Sequence, residues 1–160
     1  MNMLSLPSPD PPDQTELRLR SSDGRDSIAL THFRPERGGA YFDLVVASRG
    51  FSGSTGYALE ATEFRALLAG LQHMYDTLSG SAELRIHMEE SHVRFEVDVH
   101  GHVVVTGILV HYEEPWHRLE FGFYSDQTHL PAFIRALSLA GTVIGAECVV
   151  GHNAHLEGCT

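Results

Sequence analysis

The sequence predicts an α+β fold: an antiparallel β-sheet of about 7–8 strands, strongly curved or meander-type, with two amphipathic helices packed on one face. Three observations carry this expectation. Short segments in which apolar and polar residues alternate recur along most of the chain. Two longer segments carry apolar residues at helical spacing, and clusters of Gly, Pro, Ser and Asp separate the segments.

Taken in order, residues 1–15 hold four of the seven prolines and little that could pack, which reads as a flexible Pro-rich leader. From Glu16 the texture is β. Leu17 and Leu19 alternate with Arg18 and Arg20, a turn signal follows at Ser21–Arg25, and Ser27–Phe33 places Ile28, Leu30 and His32 on one parity. The stretch 35–39 is a turn before Ala40–Ser48, and Phe51–Leu59 is a further extended segment with Gly53 and Gly56 inside it. Phe64, Leu67, Leu68, Leu71, Met74, Tyr75 and Leu78 then share one helical face, predicting a helix over 62–78 with Thr62 as N-cap. Gly70 within it costs about 1 kcal/mol relative to Ala, so its backbone is expected to lie close against a neighbour.

A β-meander is expected from Ala82 to Tyr124. Leu84, Ile86 and Met88 alternate with polar residues, as do Val93, Phe95, Val97 and Val99. Val103–Val110 is apolar on both parities and so central, and Leu119, Phe121 and Phe123 resume the alternation after the break at Glu113-Glu114-Pro115. A second helix is expected after Asp126, with Pro131 in its first turn and a stripe of Leu130, Phe133, Ile134 and Leu137. Residues 16–140 thus form a single domain, and 141–160 read as a Gly-rich C-terminal tail with one added strand or none. No internal sequence repeat is evident.

The 160 residues suffice to bury a core without disulfide or metal. Two cysteines, Cys148 and Cys159, do not make a disulfide framework. The first residues lack a basic n-region and an apolar h-region, and no apolar run reaches the roughly 20 residues that span a bilayer. A cytoplasmic protein with no membrane partner is expected. All 11 basic residues are Arg, and 21 acids bring the net charge to −10, which opposes nucleic-acid binding. The charge is uneven: residues 16–59 carry six Arg and five acids, whereas 83–126 carry nine acids and three Arg.

Eleven histidines raise the question of metal. Cys148, His152, His155 and Cys159 offer zinc-type ligands, but at a spacing that fits no standard finger. His87, His92 and Asp98 share the wet parity of the meander, and His100 and His102 flank Gly101. Nothing in the sequence fixes three ligands together, so no metal site and no cofactor are expected. There is no Gly-x-Ser-x-Gly elbow, P-loop or dinucleotide fingerprint, and the paired acids Glu89-Glu90 and Glu113-Glu114 fall at turns, where carboxylates point into water. No catalytic residue is expected.

The helix motif Phe64-x2-Leu67-Leu68-x2-Leu71, then Gly101-x-Val103-x-Val105-x-Gly107, then Leu119-Glu-Phe121-x-Phe123-x2-Asp126-x3-Leu130-Pro131-x-Phe133, resembles the WapI-type bacterial immunity proteins over roughly residues 16–140. The resemblance implies a small cytosolic protein that binds the toxic domain of a polymorphic or contact-dependent toxin. The matched positions are structural, so no functional residue carries over from them. The acidic meander suggests a basic toxin domain as partner, met by Glu89, Glu90, Asp98, Glu113 and Glu114. Two other readings stand beside this one: a metal-binding module or metal-dependent hydrolase using sheet or tail histidines, and a domain with a housekeeping binding role.

Overall fold

The computed structural model describes residues 17–85 and 89–157, with side chains as far as Ile144. The fold is α+β and contains eight strands, divided between two four-stranded antiparallel sheets. β1 (Leu17–Arg20), β2 (Ser27–Glu36), β3 (Gly39–Ser48) and β4 (Phe51–Glu60) pair in sequence order and lead into α1 (Ala61–Thr77). β5 (Ser81–Arg85), β6 (His92–Val97), β7 (Val103–His111) and β8 (His117–Ser125) do the same and lead, through a 3-10 turn at Gln127–His129, into α2 (Leu130–Glu157). Four strands and a helix therefore occur twice, although the sequence shows no repeat. An antiparallel meander needs only alternation and turns, so two halves can share an order without sharing residues.

Each helix crosses to the other half. α1 follows the first sheet but packs on β5, whereas α2 follows the second sheet and packs on β1 and β2. The helices also pack on each other, and the apolar sides of all these elements enclose one continuous core. Phe33, Phe42 and Tyr57 form a column across β2, β3 and β4, with ring centroids 6.0 and 5.5 Å apart, and Phe64 of α1 meets Phe33 edge-on at 6.0 Å.

Several local expectations change. His32 has φ 51°, and the β2–β3 register jumps between Thr31 and Arg34. The bulge breaks the expected parity: it turns His32 outward onto Asp43, at 2.9 Å, and brings Phe33 against the core instead. Pro35 and Glu36 belong to β2 rather than to the turn. β1 pairs only with residues 27–30 of β2, so the missing N–H of Pro35 costs no ladder bond on that side. Helix α1 begins at Ala61, not after Thr62; the Glu63 carboxylate accepts from the Glu60 N–H at 3.0 Å and closes its first turn. Tyr75 and Leu78, expected on the buried stripe, are exposed. The backbone beyond Gly141, expected to leave as a tail, continues α2 to Glu157. Ile86 and Met88 lie outside the described residues.

Gly70 meets its expectation of close approach. A Cβ there would stand 2.9 Å from the Cβ of Ala82 on β5, and one at Gly141 would stand 2.9 Å from Cε1 of Phe64. These are the points where α1 meets the second sheet and α2 meets α1. Gly70→Ala gains about 1 kcal/mol of helix propensity but forces α1 off β5, which costs about 1–3 kcal/mol. The variant is expected to be less stable than wild type in urea unfolding; a raised midpoint would show that the approach is not tight.

Candidate protein interface

The second sheet has two ends, and the acids expected to act together divide between them. At one end lie the β5–β6 loop, with Glu89 and Glu90, and the β7–β8 loop, with Glu113 and Glu114. Glu89, Glu90 and residues 112–116 are exposed. The Arg118 guanidinium donates to Glu90 Oε1 at 2.8–2.9 Å, which ties the root of β8 to the β5–β6 loop. Glu113 faces His111 Nε2 at 3.4 Å. Among the described residues Glu89 and Glu114 make no ion pair, so both carboxylates project their charge into solvent.

Asp98 is elsewhere. It sits past the far end of β6, a six-residue strand that at about 3.3 Å per residue spans roughly 20 Å. Its Oδ1 accepts from the N–H groups of His100 and His102 at 2.8 and 2.9 Å, and its Oδ2 faces His102 Nδ1 at 3.3 Å. The turn closes with the Asp98 N–H donating to the His102 carbonyl, and Gly101 takes the φ of 82° that it needs. Asp98 is thus a turn-forming residue and does not join the acids of the other end. It also ends β6 at Val97, leaving Val99, expected on the strand, exposed in the turn. Partial burial pushes the Asp98 carboxyl up, but the bonds from His102 and His100 outweigh it and hold it below the usual 3.8.

The acidic end is anchored from inside. Ser91, fully buried, accepts the Val110 N–H on its Oγ at 3.0 Å, so the β5–β6 loop is held against β7. The Tyr57 hydroxyl reaches from the first sheet to donate to the Ser91 carbonyl at 2.9 Å, with the Leu84 carbonyl at 3.3 Å. Glu89 and Glu90 therefore stand next to a buried, hydrogen-bonded Ser91. Two aromatic side chains missed at the sequence level complete this end: Tyr112 and Trp116 flank Glu113 and Glu114 and are 57% and 61% exposed. The available signal was the single Trp of the chain falling in an expected break rather than on a strand. Large exposed aromatics beside a charged rim are the composition of a protein-binding patch.

His92 and Asp98, grouped by parity as candidate ligands, lie at opposite ends of β6, with Asp98 committed to its turn. Among the described residues no group of three His, Cys, Asp or Glu side chains is placed to hold a metal ion. His87, Cys148, His152, His155 and Cys159 lie outside the residues whose side chains are described. No helix among the described residues is long and apolar enough to cross a membrane.

The arrangement of two crossed four-strand-plus-helix units is shared with known structures. The plant transcriptional regulator PBF-2 superposes with a TM-score of 0.51 at 9% identity, covering 91% of this chain and 87% of that one. WHY3 from Arabidopsis thaliana superposes with a TM-score of 0.55 at 9% identity, covering 94% and 100%. At such identities the likeness is one of fold. No curated protein matches in sequence. The model of the Immunity protein WapI-like family matches residues 35–140, and the chain belongs to that family. Membership supports an immunity role and implies a protein partner.

Two predictions follow from this geometry. Tyr57→Phe removes the donor to the Ser91 carbonyl and is expected to cost about 1–2 kcal/mol in chemical unfolding, with hydrogen exchange rising at 89–92; unchanged exchange there would mean that the loop root does not depend on Tyr57. Because the folded pKa of Asp98 is lowered, its carboxylate stabilises the fold above the ordinary value and loses that effect as pH falls through the lowered one. The melting-temperature gap between wild type and Asp98→Asn is therefore expected at about pH 6 and should close toward about pH 2.

Proposed function

We propose that this protein is a non-enzymatic, cytoplasmic immunity protein that neutralises a bacterial polymorphic or contact-dependent toxin by binding its toxic domain. Family membership over residues 35–140 is the observation that carries this reading. The acidic end of the second sheet supports where the contact falls: Glu89, Glu90, Glu113 and Glu114 supply charge, and Tyr112 and Trp116 supply exposed aromatic area. Domains that attack nucleic acids need positive charge at the site that receives phosphate, so a basic toxin domain is the partner that this end suits. Charge steers the encounter, and the aromatic side chains contribute the contact that persists once water is expelled. No metal and no membrane enter the mechanism. The plant regulator likeness carries the fold alone, and a net charge of −10 opposes binding to a phosphate backbone.

The test is titration of the co-encoded toxin domain into wild type and into Glu113→Arg/Glu114→Arg. The double variant is expected to bind at least about tenfold more weakly, with a reduced dependence on salt. Trp116→Ala should slow neither encounter nor its salt dependence, but should raise the dissociation rate. Wild-type affinity in both variants would remove the contact from this end of the sheet.

A further inference from the structure

Of the four acids at the end of the second sheet assigned to the partner, Glu90 is the one held from several sides. Its backbone N–H faces the Tyr112 hydroxyl of the β7–β8 loop at 3.5 Å, and its carbonyl accepts from His92 Nδ1 at 2.8 Å. Its carboxylate receives Arg118 of β8: Nε and Nη2 both reach Oε1, at 2.9 and 2.8 Å, while Nη1 lies 3.4 Å from Glu120 Oε2. Among the described residues no bond takes Glu90 Oε2. The Arg118–Glu90 pair crosses a strand, because Glu90 precedes β6 and β7 runs between β6 and β8. Val110 of β7 stands opposite Arg118 in the register and is only 2% exposed, although Val104, Thr106 and Ile108 on the same parity are exposed or half-buried. A pair that crosses β7 at this level places the apolar stem of Arg118 over Val110, with the charged head at the water.

We propose that Arg118 is a positioning residue for the toxin contact: it holds Glu90 in place and leaves Oε2 to receive a cationic side chain of the partner. This role rests on the function proposed above and adds to it a residue of the opposite sign. Charge alone makes Arg118 unfavourable, because a cation at this end repels a basic domain. Geometry favours it. An ion pair with both side chains open to water, here 39% and 49% exposed, contributes little to stability, so stability does not account for the bonds that converge on this one glutamate. Among the described residues Glu89 and Glu114 make no ion pair and Glu113 faces only His111, so Glu90 is the carboxylate whose geometry is fixed before a partner arrives. A fixed acceptor loses less side-chain freedom on binding than a free one, and a carboxylate that accepts from one arginine keeps lone pairs for a second cation. Glu120, bound to the third nitrogen, keeps the guanidinium where Glu90 meets it.

The sign of one substitution separates position from charge. Arg118→Gln removes one positive charge and takes the net charge from −10 to −11, so charge alone predicts tighter binding of a basic toxin domain. Positioning predicts the reverse. In binding kinetics with the co-encoded toxin domain, Arg118→Gln is expected to associate at the wild-type rate or faster and to dissociate at least about fivefold faster. The loss acts through Glu90, so Glu90→Gln/Arg118→Gln should dissociate no faster than Glu90→Gln alone. Arg118→Met keeps an apolar stem over Val110 and is expected to melt with wild type yet to dissociate as fast as Arg118→Gln. Dissociation at the wild-type rate or slower in both Arg118 variants overturns the role. So does a full effect of Arg118→Gln in the Glu90→Gln background, which would make Arg118 a contact in its own right. A wild type that does not bind the co-encoded toxin domain removes the function proposed above and this role with it, whereas a wild type that binds while Arg118→Gln binds more tightly removes the role alone.

Discussion

The two sheets have no strand in common, and among the contacts that join them, which include the Ser22 N–H donating to the Tyr124 carbonyl at 3.0 Å, Tyr57 ties a core side chain to a surface loop. Its ring closes the aromatic column of the first sheet, and its hydroxyl donates to a carbonyl of the β5–β6 loop of the second. A buried phenol is costly unless its hydroxyl is bonded. The same bond that satisfies it therefore links the two sheets and holds Ser91, beside Glu89 and Glu90. A core requirement and a surface position are met by a single contact.

The helices reinforce that joint by exchange. Each connects to one sheet by sequence and packs on the other half, so neither half can close its core alone. Gly70 and Gly141 mark where this exchange is tightest, and in both places a neighbouring side chain occupies the space that a Cβ would take. Gly70 costs helix propensity locally but permits a nonlocal contact, a common way in which tertiary structure overrides a residue's intrinsic preference.

Charge follows the same division. The nearly neutral first half supplies most of the aromatic column. The acidic second half divides its carboxylates by task. Asp98 accepts backbone N–H groups and shapes a turn, Glu90 is bound by Arg118, and Glu89 and Glu114 face solvent. Carboxylates that look alike in a charge count thus differ in what is left to offer a partner.

Much of the architecture was legible in the residues. Period-two alternation identified the strands, the spacing from Phe64 to Met74 identified α1, and the stripe from Leu130 to Leu137 identified the start of α2, because these patterns are properties of neighbouring residues. The low charge of 16–59 and the acidity of 83–126 were equally local. What needed tertiary structure was every question of convergence. Eight strands could have formed one curved sheet or two, since alternation specifies a buried face but not the partner that buries it. The bulge at His32 shifted Phe33 into the core by adding one residue to one strand, which no periodicity reveals. Asp98 and Glu90 share the acidic meander, yet a strand carries them to opposite ends, whereas Glu90 and Glu113 are distant in sequence and meet at one. Sequence alone determined which segments are strands, which are helices and where the charge lies; pairing across the fold decided which charges stand together, because register and loop placement depend on contacts between residues far apart in the chain.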